Sequence, residues 1–323
     1  MSISPTLRCS IVVRCCNEER HIGRLLHGIA AQTLKDIEII IVDSGSTDRT
    51  CEIAQRFPAR LLHVEPQRFS FGRSLNLGCA AASGEFVVAI SAHCYPVCTD
   101  WLAKLLEPFA DPLVAVTYGR QQGGPTTRFA ERRVFATWFP PTSDDSQSHP
   151  FCNNANAALR RAVWQRLRFD ETLTGLEDLA FAKSAMAQSY RVAYIADAGV
   201  VHVHDETWRQ VFNRYQREAI AFRSIFPEER FGAWDFARLL TRNVAADARS
   251  AWSEGCLTHA AGEIALFRLM QFAGTYRGMN RTGGVTSQLK RRFYYPNHTG
   301  EGTSVGGLEG AAVDYGEEPG LSG

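Results

Sequence analysis

A chain of 323 residues with 45% hydrophobic and 21% charged residues is long enough for a large globular domain with an appended piece. A formal net charge of +1 argues against a polyanionic partner such as nucleic acid, though a local basic cluster can still face anionic lipid. No apolar run reaches the roughly 18–20 residues needed to span a bilayer, and the N-terminal stretch is too short for a secretory signal. The expected location is therefore cytoplasmic, with peripheral contact at the inner face of a membrane left open. The nine cysteines are odd in number and include Cys15, Cys16, Cys51 and Cys79 in apolar company, so they read as reduced thiols. Cys94 and Cys98 beside His93 suggest zinc, but no second Cys/His pair lies at finger spacing.

Strand-like and helix-like stretches alternate through the first hundred residues. Residues 9–13 and 37–42 are short apolar runs, each ending on polar residues. Between them Ile22, Leu25, Leu26 and Ile29 recur at helical spacing. A helix over 50–57, a strand over 60–64, a helix over 75–82 and a strand over 85–91 follow. This order predicts an α/β fold with a mainly parallel, doubly wound sheet, whose ligands bind beyond the carboxyl ends of its strands. Residues 119–150, rich in Gly, Pro, Thr and Ser, predict a long functional loop. Regular structure is expected again over 153–166, in a helix over 176–189 and in two strands over 192–195 and 200–203. Three helices are expected over 208–226, 234–250 and 259–272. The composition beyond residue 292 predicts a disordered tail. These boundaries divide the chain into a domain over 1–225, a helical extension over 226–292 and a tail over 293–323.

Four groups of residues carry chemistry. Asp43-Ser-Gly-Ser46-Thr-Asp48 follows a buried strand, where Asp43 and Ser46 can bond a base or ribose. Ser46 or Asp48 can equally cap the next helix. Phe86-Val-Val-Ala-Ile-Ser91-Ala-His93 is a second strand that stops on polar residues. Glu177-Asp178 can supply a proton-accepting carboxylate, or complement the dipole of the helix they open. His202 and His204 share one face of a strand end, as metal ligands or as satisfied core histidines.

In this order and spacing the four groups resemble the family 2 glycosyltransferases of the GT-A fold. The resemblance starts at Ser10-Ile-Val-Val-Arg-Cys-Cys-Asn17-Glu-Glu. It runs through Asp43-Ser-Gly-Ser-Thr-Asp48, Phe71-Gly-Arg-Ser-Leu-Asn76, Ser91-Ala-His93 and Asn153-Asn-Ala-Asn156 to Glu177-Asp178, covering about residues 8–225. Tyr215-Gln-Arg-Glu-Ala219 and residues 268–278 look most similar to bacterial rhamnosyltransferase-like members that build surface polysaccharide. The resemblance implies a nucleotide-sugar donor, of the UDP or dTDP class, and a glycan or lipid-linked acceptor. It implies Asp43 on the uracil or thymine ring, with the segment Val13–Asn17 lining the same pocket. Arg68 and Asn76 lie where the family approaches nucleotide or donor sugar, and Ser91 and Ser46 fall on the same rim. Asp178 is the implied general base of an inverting transfer, with Glu177 positioning acceptor or base. His202 falls where some members present a metal or pyrophosphate contact.

One position departs from the family. Where an Asp-x-Asp motif normally holds a divalent cation, this chain has Ser91-Ala92-His93. A diphosphate leaving group needs charge neutralisation. Imidazole ligands at His93 and His202 favour Mn²⁺ over the oxygen-seeking Mg²⁺. The alternative is metal-independent transfer, with a protonated histidine or Arg68, Arg73 and Arg120 bearing the charge. The missing aspartates also admit a catalytically weak relative that binds nucleotide-sugar or glycan, which the retained Glu177-Asp178 pair opposes. A nucleotidyltransferase would need a glycine-rich phosphate loop, and Arg14-Cys-Cys-Asn-Glu-Glu is not one. In the helical region, Arg209, Arg214, Arg217, Arg223, Arg238 and Arg242 are interleaved with aromatic residues. They form either a solvated face or a membrane-docking surface.

Overall fold

The computed structural model describes residues 8–283 and 311–315. Eight strands form one sheet: β1 (Cys9–Cys15), β2 (Ile37–Asp43), β3 (Ala59–His63), β4 (Phe86–Ser91), β5 (Cys94–Pro96), β6 (Val114–Gly123), β7 (Asn156–Arg160) and β8 (Arg191–His202). Their order across the sheet is β3-β2-β1-β4-β7-β6-β8-β5. The half from β3 to β4 is parallel, as the alternation predicts. β7 then runs antiparallel to both β4 and β6, and β5 antiparallel to β8, so the whole sheet is mixed. The parallel half places the ends of β1, β2 and β4 side by side, with Cys15 opposite Asp43 and Arg14 opposite Ser91.

Helices cover both faces. α1 (Ile22–Ala30), α2 (Thr50–Ala54) and α4 (Trp101–Leu106) lie on one side. α3 (Phe71–Ala81), α6 (Arg161–Leu167) and α7 (Glu177–Met186) lie on the other. The strands of the middle are buried on both faces, which is why they read as continuous apolar runs. Asn156 sits in this core, fully buried. Its amide oxygen accepts from Trp101 Nε1 (2.9 Å), and its nitrogen donates to the carbonyls of Ala198 (2.8 Å) and Arg120 (3.1 Å). Asn156→Ala orphans three buried groups at about 1–3 kcal/mol each. A stability loss of ~3 kcal/mol or more is expected, measured by chemical denaturation.

Residues 119–150 are more ordered than predicted. The second half of β6 and the whole of α5 (Phe129–Trp138) fall within them, leaving 124–128 and about 139–152 irregular. The glycines that read as loop are there for close packing: a Cβ on Gly123 would sit 2.5 Å from Thr127. β8 is one strand of 12 residues, not two, with the irregularity at Gly119/Gln121 absorbed opposite it in β6.

α8 (Trp208–Ile225), α9 (Ala233–Ser253) and α10 (Leu257–Met279) form the C-terminal helical piece. Gly274 and Gly278 bring α10 against α8; a Cβ at either would lie 2.5 Å from the carbonyl oxygens of Phe212 and Gln216 respectively. The expected boundary at residue 225 therefore falls inside a packed helical unit. That unit also holds α5. Glu263 accepts from the backbone N–H of Phe129 (2.8 Å) and Ala130 (3.3 Å). Buried Arg268 pairs with Asp247 at 2.7 Å.

Of the expected tail, residues 293–310 and 316–323 lie outside the described residues. Residues 311–315 pack on the sheet domain instead. Ala312 bridges Cys98, Val313 is buried, and Tyr315 donates to Pro96 O at 2.6 Å. All nine cysteines are free thiols. Among the described residues no helix is long and apolar enough to cross a membrane.

Candidate active site

The first wall of the site is the β1–β2 mouth. Asn17 adopts a positive φ of 56°, and its side-chain oxygen accepts from Thr47 N at 2.8 Å. Asn17 N donates to Ser46 Oγ at 2.9 Å, so the two expected nucleotide residues staple their loops together. Asp43 is buried, and its carboxylate accepts from the N–H groups of Gly45 (3.1 Å) and Ser46 (3.2 Å). Neither Ser46 nor Asp48 is the N-cap of α2, which is Arg49; Asp48, one residue earlier, accepts from Thr50 N at 2.9 Å and from Glu19 N at 3.1 Å. Asp43 is thus fixed at the strand end, while Asp48 ties the start of α2 to the loop after β1.

The second wall is the head of α7. Leu176, a branched residue, is held at φ 55°, a strained backbone that turns the next two side chains inward. Glu177 Oε1 accepts from Arg14 Nη1 (3.3 Å) and Asn154 Nδ2 (3.4 Å). Asp178 accepts from the N–H groups of Asn154 (2.9 Å) and Leu179 (2.8 Å). Burial, reinforced by the neighbouring Glu177 carboxylate, pushes the Asp178 carboxyl up to about 7. The two backbone donors and Arg14 act in the opposite sense and are outweighed. An oriented carboxyl titrating near neutrality is suited to take a proton from a hydroxyl.

Three imidazoles close the site. His93 follows β4, His202 ends β8, and His204 lies two residues on. Each turns Nδ1 onto an acceptor oxygen at 2.7 Å: His93 onto Glu18 Oε1, His202 onto Gln121 Oε1, His204 onto Glu131 Oε1. A carboxylate or amide oxygen only accepts, so Nδ1 is the donor in each pair, and it is the neutral form of each ring that leaves Nε2 a free lone pair. The Nε2 atoms of His202 and His204 face each other at 2.9 Å, and the three rings offer donor atoms within 4.8 Å of one another. That contact is satisfied by a proton on either ring nitrogen, or by a cation that both lone pairs ligate. Oxygen partners on the outer ring nitrogens are also the usual support of metal-bound histidines. The residues fit a divalent cation of the imidazole-binding class, and fit Mg²⁺ poorly. His202 and His204 both lie in this cluster, on the one face expected of them.

The support for this cluster comes from afar. Glu131, on α5, is buried, which alone would raise its pKa; His204 and the Arg214 guanidinium at 2.5 Å instead hold it well below the usual range. Arg214 also meets Glu206 at 2.7 Å. Burial drives His202 well below the ordinary imidazole value, helped by the neighbouring His204, His93 and Arg214. Burial acts on His93 in the same direction, but the Glu18 carboxylate overrides it and raises that ring.

Other expected residues fall less centrally. Ser91 is half-buried at the end of β4, opposite Arg14 in the register. Arg68 is exposed on the 3-10 turn Pro66–Arg68. Asn76 is committed to the protein itself. Its oxygen accepts from Trp164 Nε1 and Phe169 N (both 3.0 Å), and its nitrogen donates to Phe169 O (2.9 Å) and Glu171 (3.0 Å). It braces the turn after α6, with both its oxygen and its nitrogen bonded within the protein. Arg73 is likewise paired, with Glu171 at 2.9 Å. Arg14, which the sequence reading includes only as part of the 13–17 segment, is the arginine that meets Glu177, and its guanidinium also lies 5.0 Å over the Phe71 ring.

Residues 10–168 match the family described as glycosyl transferase family 2. They are a family 2 glycosyltransferase domain. Over 200 residues the chain is 31% identical to the O-antigen chain rhamnosyltransferase WbaN of Salmonella anatum, covering 58% of this chain and 64% of that protein. Over 223 residues it is 27% identical to the O-antigen chain rhamnosyltransferase RfbN of Salmonella typhimurium, covering 65% and 70%. A mannosyltransferase from Pyrobaculum calidifontis, solved with GDP-Man and Mn²⁺, superposes with a TM-score of 0.59 at 20% identity, covering 84% of this chain and 87% of that one. TarS of S. aureus in complex with UDP gives 0.51 at 16% identity, covering 84% and 91%. The shared fold is GT-A, with a helical C-terminal region. The β1–β2 mouth and His93, within the matched residues, and the acids of α7, His202 and His204, beyond them, all lie past the ends of the same sheet.

Proposed function

We propose that the chain is an inverting transferase that moves a sugar, rhamnose being the first candidate, from a UDP or dTDP donor to a glycan hydroxyl in bacterial surface polysaccharide synthesis. The observation that carries this reading is Asp178, a buried, backbone-anchored carboxyl titrating near neutrality across the site from the Asp43 loop. Asp43, Asn17 and Ser46 would receive the base and ribose, and Arg68 the exposed edge of the donor. Asp178 takes the proton of the acceptor hydroxyl as that oxygen attacks the anomeric carbon. The bond to the diphosphate breaks on the opposite face, and the configuration inverts. Glu177, held by Arg14 and Asn154, keeps the acceptor and Asp178 in register.

His93, His202 and His204 would hold a divalent cation, Mn²⁺ in preference to Mg²⁺. Bound there, it would neutralise charge on the diphosphate leaving group. A panel of UDP-, dTDP- and GDP-sugars, scored for hydrolysis and transfer with Mn²⁺, Mg²⁺ or EDTA, tests the whole reading. Turnover of a UDP- or dTDP-sugar supports it; no turnover of any donor with any metal overturns it.

The acceptor is expected to be lipid-linked, with the protein docked at the cytoplasmic face of the membrane through α9. Trp234 and Trp252 are each 76% exposed at the two ends of this helix. Arg238, Arg242 and Arg249 are exposed between them. The acids in that span are Asp235, beside Arg238, and Asp247, buried inward against Arg268. Tryptophans flanking arginines on one outward face suit an anionic lipid interface. Vesicles of phosphatidylethanolamine with phosphatidylglycerol should co-sediment the protein. Replacing both tryptophans with Ala should weaken binding about tenfold or more, and neutral vesicles should bind poorly. Equal binding by the double variant would remove α9 from the account.

A further inference from the structure

We propose that Trp138 and Phe151 form a carbohydrate subsite that holds a pyranose ring of the acceptor glycan, set back from the reacting hydroxyl. The occupant's identity rests on the transferase reading above; the site itself rests on its own geometry.

Trp138 ends α5 with 52% of its surface exposed, and its indole stacks on the Phe151 ring at 4.7 Å and 29°. An exposed indole backed by a second ring is a rigid flat platform. The negative face of such a ring attracts the polarised axial C–H bonds on the flat side of a sugar. A cavity of ≈ 260 Å³ opens beside it, with Thr142, Asp144 and His149 among its walls. These supply hydroxyl, carboxylate and imidazole groups around an aromatic floor, a combination that matches a ring edged with hydroxyls. The volume lies below the roughly 300–1,000 Å³ of whole small-molecule sites, which fits one ring of a longer chain.

The walls are fixed in advance. Tyr118 donates to Gln147 (2.8 Å), Gln147 donates to the carbonyls of His149 and Phe151 (both 2.6 Å), and Tyr194 donates to Pro140 O (2.6 Å). Asp144 and Tyr194 exchange backbone hydrogen bonds. Binding therefore need not order the loop, which lowers its entropic cost.

The shelf is also joined to the reaction centre on both sides. α5 carries Glu131, which holds His204, and seven residues on it carries Trp138, about 10 Å further along the axis. Phe151 lies three residues before Asn154, whose N–H holds Asp178. A glycan with its terminal hydroxyl at Asp178 has this shelf within reach of its inner rings.

Saturation-transfer difference NMR on the full chain tests the subsite directly. The probes are methyl glycosides of rhamnose, mannose, galactose, glucose and N-acetylglucosamine, and disaccharides built from them. At least one probe is expected to receive saturation on its ring C–H face. That signal should vanish in Trp138→Ala and persist in Trp138→Phe. It should vanish too in Thr142→Trp, which fills the cavity without removing a wall. UDP affinity, measured by calorimetry on the same proteins, should stay within twofold. No response from any probe, or a signal unchanged in Trp138→Ala and Thr142→Trp, overturns the proposal. Sugar saturation at the shelf with no turnover of any donor would keep the subsite and sink the transferase reading. Transfer activity with no effect of either variant on acceptor KM or saturation would do the reverse.

Discussion

Asp178→Asn is expected to lower kcat by 10²–10⁴-fold while leaving UDP affinity within about threefold. The side chain keeps its size, and an amide oxygen can still accept from the Asn154 or Leu179 N–H, so folding should survive; circular dichroism and a melting curve check that. What the amide cannot do is accept the acceptor's proton. The same reasoning sets the pH dependence. The Asp178 carboxyl is pushed up to about 7, so its proton-accepting form is lost as pH falls through that value. The rate should therefore rise with pH between about 6 and 8, and level off above. In Asp178→Asn the residual rate should lose that limb. A variant with undiminished turnover, or a wild-type profile flat from pH 5.5 to 8, would remove Asp178 as the base.

The second large effect concerns the imidazoles. His204→Ala should abolish tight Mn²⁺ binding, read by electron paramagnetic resonance on the protein alone. Chelator-treated wild type should regain turnover with Mn²⁺ and much less with Mg²⁺. Glu131→Gln keeps a hydrogen-bonding oxygen but loses the charge that both His204 and Arg214 share; it should weaken Mn²⁺ affinity 10–100-fold, the usual cost of removing such a partner. Full activity in excess EDTA would transfer the burden to positive side chains, with Arg14 first among them. On this proposal the expected two-histidine site would be a three-histidine site braced by Glu18, Gln121 and Glu131.

The parts of this site written as short strings at strand ends are visible in sequence. Asp43, Ser46 and His93 belong to such strings, because a parallel sheet sends its loops to one edge, and Glu177-Asp178 is a paired-acid string that opens a helix. Their partners are not visible, because they come from distant segments. Arg14 reaches Glu177 across 163 residues, Gln121 reaches His202 across 81, and Glu131 meets Arg214 across 83. No local pattern encodes those pairs. Two errors have specific causes. Glycines at 119, 123 and 124 mimic a loop, whereas two of them are required by packing in β6. Asn76 sits in a string shared with the family, but its amide is spent bracing residues 164–171. The antiparallel entry of β7 also leaves no local trace, since a strand buried on both faces reads alike in either direction.

The most direct test of the account is the anomeric configuration of the transferred sugar, read from the C1–H1 coupling of the product by NMR against that of the donor. A single displacement with Asp178 taking the proton predicts an inverted configuration. A product with the donor's configuration retained would contradict that role for Asp178 and the mechanism built on it.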